Sequence, residues 1–164
     1  MHIRKEQPDD IAAIRRLTDE AFRAVPYSNQ KEAAIIDVLR SASALTLSLV
    51  AEEEGSLLGH VAFSLVLIDG TDCNWYGLGP LSVQPDRQGE GIGSALIREG
   101  LLRLRETGAK GCVLLGDPDY YRRFGFKADE RLRLEGVPAQ YFQCLAIEGE
   151  MPRGRVTYNA AFDA

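Results

Sequence analysis

A strand that runs through a glycine-rich turn straight into a helix constrains this chain more than any other feature. Leu81-Ser82-Val83 has strand character, Gln84-Pro85-Asp86 turns, and Gly89, Gly91 and Gly93 lead into the helical pattern Ile92, Ala95, Leu96, Leu101 and Leu104. Three glycines this close together cost helix stability at about 1 kcal/mol each, so something must need the open backbone. The N–H groups of a first helical turn have no intrahelical partner, and the macrodipole adds about half a positive charge there. Glycines remove the Cβ atoms that would hold an anion off and permit φ > 0. Arg87 adds a positive charge beside the loop. The segment therefore predicts an anion seated on a helix N-terminus. It is not the dinucleotide fingerprint G-x-G-x-x-G/A, because the third position falls on Ser94 or Leu96. Nor is it the nucleotide P-loop, since no Gly-Lys-Ser/Thr follows.

The rest of the chain bounds what that loop serves. A length of 164 residues predicts one domain spanning 1–164, long enough to bury a core without metal or disulfide staples. The net charge of −5 carries no basic footprint for nucleic acid. Cys73, Cys112 and Cys144 are odd in number and far apart, and only His2 and His60 accompany them, so no zinc site is expected. The cysteines read as small core residues. No apolar run approaches the roughly 20 residues of a membrane helix, and residues 1–6 lack a secretory h-region. The expected location is the cytoplasm, with no membrane partner.

Hydrophobic periods give a mixed α/β order. A strand at His2–Lys5 is followed by a helix opened by Pro8-Asp9-Asp10, then a second helix over about 30–40. Strands at about 45–52 and 57–68 turn at Glu54-Gly55 as a hairpin, and a third runs from Asp69-Gly70 to Val83. The long helix over 91–107 stops at Gly108. A short strand at 112–115, a small helix at 119–124 and strands near 141–147 and 155–158 complete the pattern. Gly77, Gly79 and Pro80 interrupt the third strand where a neighbour should diverge, since proline cannot donate to a ladder and glycine favours bulges.

The residues Gln88, Gly91 and Gly93 form Q-x-x-G-x-G, which resembles the pyrophosphate loop of the GNAT superfamily of N-acetyltransferases. Tyr121-Arg122-Arg123-Phe124-Gly125-Phe126 is similar to that family's Y-x-x-x-G-F segment, and Leu115–Tyr121 resembles its bacterial YhbS-like branch. The resemblance covers almost the whole chain. It implies an α/β (α+β) fold in which a mixed, mostly antiparallel sheet is splayed into a V and flanked by helices. It further implies that Arg87, Gln88, Gly89, Glu90, Gly91, Ile92, Gly93 and Ser94 hold the pyrophosphate of acetyl-CoA or CoA, while the backbone of Leu81, Ser82 and Val83 pairs with the pantetheine arm. Tyr121 would protonate the departing thiolate, and Tyr120 takes that place if the short helix is rotated.

The chain departs from the family pattern at the base. Gly77-Leu78-Gly79-Pro80 and Cys112–Leu115 carry no carboxylate, which leaves Asp117 as candidate base or water alone. Asp117 before Pro118 is equally a turn cap. An asparagine common before the family's tyrosine is also missing. The implied activity is transfer of an acyl group, most simply acetyl, to a primary amine by direct attack in a ternary complex. The alternative is a non-catalytic CoA-binding sensor or scaffold, which the missing carboxylate supports. His60 reads as a hydrogen-bonded scaffold residue, whereas Trp75 and Tyr76 are open between core and substrate platform. No metal is expected. The acceptor amine is not legible, and the C-terminal strands offer an edge on which a homodimer can form.

Overall fold

The computed structural model describes residues 1–163. Strands β1 (His2–Lys5), β2 (Leu47–Glu53), β3 (Ser56–Ile68), β4 (Thr71–Val83), β5 (Gly111–Leu115) and β7 (Phe142–Ala146) lie side by side in that order, and β8 (Gly154–Thr157) adds to the far end of β3 and carries β6 (Leu132–Arg133). Every pairing along the main path is antiparallel except β4 with β5. The two hairpin turns fall on Glu54-Gly55 and Asp69-Gly70, all four with positive φ, as the sequence predicts. Of the strands among the described residues, only β6 goes unforeseen. Two residues are too few to show a period, and it exists because β8 lies beside it.

Alternation on β2 and β3 separates two faces. Leu47, Leu49, Ala51, Val61 and Phe63 pack against Ile92, Leu96, Ile97 and Leu104 of α3 (Ile92–Glu106). Val50 turns the other way, onto Ile14 and Leu17 of α1 (Ile11–Phe22) and Ile36 of α2 (Glu32–Ser41). Helix α3 approaches closely because Gly100 lies over Phe63, where a Cβ would come within 2.4 Å of the ring.

Buried on the α1/α2 side, the Nε2 atom of His60 is 2.8 Å from Ser48 Oγ, and Ser48 in turn donates to Glu6. Arg40 closes the network on Glu6 at 2.8 and 3.0 Å. Burial pushes the His60 imidazole down to about 4, with Arg40 adding to the effect and Glu6 and Asp10 opposing it. His60 is thus a scaffold residue, neutral and fully enclosed. Trp75 joins the core under Gly111, and the Tyr76 hydroxyl donates to Asn74, so neither is a substrate platform.

The pairing of β4 with β5 ends at Gly77 against Val113, while β4 continues along β3 to Val83. Between those points β4 carries one extra residue, since Phe63 faces Leu78 but Val61 faces Leu81. Gly79, at φ +138, takes the conformation this bulge needs. Here the sheet opens into a V.

Candidate active site

The loop after β4 reaches α3 through a 3-10 turn, Pro85–Arg87, and two glycines in left-handed backbone, Gly89 and Gly91 at φ +82 and +86. A Cβ on either would meet nothing within 4 Å. The glycines are there for backbone shape and for an approach from outside, not for packing. Gly91 caps α3, and the N–H groups of Ile92, Gly93 and Ser94 belong to its first turn. Together with Leu81, Val83, Gln88 and Arg123 they line a cavity of about 550 Å³. The donors, their dipole and the open space fit a phosphate-bearing ligand.

The charges around this cavity differ from a simple reading of the sequence. Arg87 lines it, but its Nε donates to Glu90 at 2.9 Å and its Nη2 lies 3.6 Å from Glu53. Arg123 lines the same cavity from the opposite wall, its guanidinium 4.4 Å over the Tyr120 ring and its Nε bonded to the Tyr120 carbonyl. Among the described residues Arg123 pairs with no carboxylate. Arg122 points away, near Asp119. Gln88 reaches back toward the Val83 carbonyl at 3.4 Å. The Ser82 side chain is buried on the far side of β4 from Leu81 and Val83, so Ser82 offers this cavity only its backbone.

A second cavity of about 890 Å³ occupies the opening of the V. Its walls are Leu78–Leu81 from β4, Leu115–Asp117 from the end of β5, and Tyr120 and Tyr121 of the short helix α4 (Pro118–Tyr121). Phe22, Leu81 and Tyr120 line both cavities, so the two adjoin along one channel-like groove. The tyrosines divide it. The Tyr120 hydroxyl lies 3.2 Å from Ser94 Oγ at the loop end. Tyr121 lies over Gly116, whose Cβ would come within 2.4 Å of its ring, and packs edge-on to Phe126. Burial pushes its phenol up to about 12, with Tyr120, Tyr27 and Asp117 adding to the effect. Asp117 is exposed at the cleft edge and caps α4, its Oδ1 accepting the Asp119 N–H at 2.9 Å. Loop, strand, Tyr121 and Asp117 thus face one channel.

Sequence reasoning passed over Phe22, which lines both cavities but shares the period of the buried face of α1. Its place at the last turn of that helix is the one signal that could have marked it. Cys112 and Cys144 are buried, and burial raises both thiols, Cys144 to about 12. Neither is a poised nucleophile. Among the described residues no group of three or more His, Cys, Asp or Glu side chains could hold a metal ion, and no helix is long and apolar enough to cross a membrane.

Residues 45–128 match the family model for the acetyltransferase (GNAT) domain. The chain is 39% identical over 146 residues to the N-acetyltransferase YhbS of Escherichia coli K12, an alignment covering 86% of this chain and 84% of that one. The chain belongs to the GNAT family. Among solved structures, a GNAT family acetyltransferase from Brucella melitensis in complex with acetyl-CoA is 64% identical, with a TM-score of 0.90 over 99% of this chain and 97% of that one. Escherichia coli YhbS in complex with CoA superposes with a TM-score of 0.91 at 34% identity, over 99% and 92% of the two chains. The splayed, mostly antiparallel sheet flanked by helices is therefore the GNAT fold. Membership among acetyltransferases weighs against a non-catalytic binding module.

Proposed function

We propose that residues 1–164 form a single N-acetyltransferase domain that moves an acetyl group from acetyl-CoA to a primary amine by direct attack in a ternary complex. The observation that carries this reading is the pair of adjoining cavities that runs from the α3 N-terminus to the opening between β4 and β5. One extended ligand can set its phosphates on the first end and a thioester in the second. That relatives of this fold hold acetyl-CoA and CoA supports the same assignment.

The N–H groups of Ile92, Gly93 and Ser94 receive the pyrophosphate, with Gly89 and Gly91 shaping the loop, Gln88 bracing it on β4, and Arg87 and Glu90 as a paired rim. Arg123 supplies the unpaired cation. Past Gly77 no strand among the described residues pairs with the outer edge of β4, so the backbone of Leu81, Ser82 and Val83 can bond the pantetheine amides. Leu81 and Val83 add apolar contact.

Asp117 takes a proton from the acceptor ammonium, directly or through water. The amine nitrogen then bonds to the thioester carbon, the C–S bond breaks, and the sulfur leaves as thiol. Tyr121 donates to the sulfur as that bond breaks. A phenol near 12 is a weaker acid than a thiol near 8.5, so full transfer in advance is uphill. Tyr121 therefore passes its proton to the sulfur only as the C–S bond breaks, and takes up in its place the proton that the attacking nitrogen loses. No covalent enzyme intermediate is involved.

We place the protein in the cytoplasm, in keeping with three free cysteines. Among the described residues the outer edge of β7 is bridged only at Cys144, by Lys127, which leaves room for a second copy. Thermal unfolding with acetyl-CoA, CoA, NAD and ATP in parallel tests the core of the reading. Acetyl-CoA and CoA at 100 times their Kd should each stabilise by about 2.7 kcal/mol, and the nucleotides by nothing comparable. Silence with acetyl-CoA would sink the assignment.

A further inference from the structure

The cleft that takes the thioester opens into a third cavity of about 660 Å³, with which it shares Phe22, Leu78, Gly79, Pro80 and Leu115. The three cavities run in series: loop, thioester cleft, and a chamber between α2 and β8. With the loop end assigned to phosphate, this chamber is the neighbouring cavity left for an acceptor that enters the cleft.

Three observations define the chamber's chemistry. Its acidic side chains are Glu32, Glu135 and Asp163, and its one cation, Arg155, already lies 3.4 Å from Glu135. Ile35, Leu134 and Phe162 give it apolar walls. In the adjoining cleft three large apolar side chains face solvent, of which Leu115 lines the chamber as well: Tyr27 is 90% exposed, Leu115 46% and Tyr141 45%. Only three other large apolar residues of the described chain are exposed to this degree, Met1, Val38 and Leu102, and none of them lines these cavities. Exposed aromatic surface gathered at the mouth of a site marks a ligand with an apolar body, and a tyrosine face also attracts an ammonium.

We infer that the acceptor is a primary ammonium on an apolar, otherwise uncharged skeleton, of the phenethylamine kind, and that amino acids are rejected. The inference rests on the acetyl-transfer reading above. An α-carboxylate would enter a chamber where Glu32 and Asp163 face no cation among the lining residues and Arg155 is already paired with Glu135. An ammonium meets the opposite field, and a ring or alkyl body finds the aromatic mouth.

Phenethylamine and phenylalanine share a skeleton and differ by that carboxylate, so the pair is the probe. Release of CoA thiol, followed with a thiol reagent, should show kcat/KM for phenethylamine at least about 100-fold above phenylalanine, on the scale of a like-charge clash. Spermidine, cationic but without an apolar body, should fall about 10-fold below phenethylamine. Glu32→Gln keeps an oxygen for the Ser28 hydroxyl that Glu32 now accepts, and should raise KM for phenethylamine several-fold with KM for acetyl-CoA unchanged. Equal rates with phenylalanine, or spermidine ahead of phenethylamine, would overturn the inference. So would no turnover of phenethylamine by protein that acetyl-CoA stabilises thermally, an outcome that leaves the cofactor assignment standing. No thermal response to acetyl-CoA removes both.

Discussion

Two adjacent tyrosines serve opposite ends of one channel. Successive residues of a helix point about 100° apart, so Tyr120 meets Ser94 while Tyr121 lies over Gly116. Tyr121→Phe removes only the hydroxyl. It should lower kcat by about 100-fold and leave the thermal response to CoA intact, which separates chemistry from binding. The active form of Tyr121 is the protonated one, and its pKa is raised to about 12, so it stays competent well past neutrality. A kcat profile taken from pH 6 to 10 should show no alkaline fall that Tyr121→Phe abolishes. Asp117 needs a different separation, because it caps α4 as well as facing the cleft. Asn preserves the cap acceptor and removes the base. Asp117→Asn should keep the stability of the parent and lose about 100-fold in kcat near neutral pH, whereas Asp117→Ala should also lose about 1 kcal/mol of stability. Wild-type kcat in Asp117→Asn would take the carboxylate out of the mechanism.

At the scale of elements, the β4–loop–α3 unit holds glycines of two kinds. Gly91 stands at φ +86 facing open space, and Gly100 lies in the helix under Phe63. Gly91→Ala strains the turn by about 1–2 kcal/mol and intrudes where a phosphate would sit, so it should act on KM for acetyl-CoA, by about 10-fold or more. Gly100→Ala overpacks the α3–β3 contact. A cost of about 1–3 kcal/mol should appear as a lower urea midpoint with unchanged slope and unchanged KM. Steady-state kinetics and denaturation of the two variants should thus give opposite patterns. Most of this unit was legible in the sequence, because the loop's glycines, the helical period and the Gly79-Pro80 interruption are local signals. Arg87 was legible as a cation beside the loop, but its ties to Glu90 and Glu53 and the unpaired state of Arg123 were not. Which arginine stays free depends on side chains from other elements.

Across the whole molecule, the β1, α2, β2 and β3 segments meet at one buried polar network around His60. Its imidazole is neutral in the fold, with a pKa lowered by burial to about 4 against an ordinary 6.5. Between those values the unfolded chain binds a proton that the native state refuses. Stability is therefore full above about pH 6.5 and falls as the pH drops toward 4, by up to about 1.4 kcal/mol per unit. Glu6 and Asp10, both lowered and both joined to arginines, add their own loss only at more acidic pH. Urea unfolding at pH 7, 6 and 5 should show this slope, and His60→Gln should flatten it. An unchanged slope in the variant would place the acid sensitivity elsewhere.

The sequence by itself determined the main helices and strands, their order and the anion loop. Each of these rests on residues within about 15 positions of one another, where period, turn chemistry and glycine placement act directly on the backbone. It also marked His60 as scaffold from its place in an alternating strand, Tyr121 as a candidate through a motif and its register, and Asp117 as the nearest carboxylate past a strand that carries none. Only the tertiary structure decided what those residues face. Trp75 became core because Gly111 leaves room for it, and β6 became a strand because β8 lies alongside. The chamber beyond the cleft joins Glu32 to Glu135, and the cleft itself joins Tyr27 to Tyr141, each across more than a hundred residues of chain. No local pattern records such a meeting, because the field and shape of a cavity belong to the packed elements together and to none of them alone.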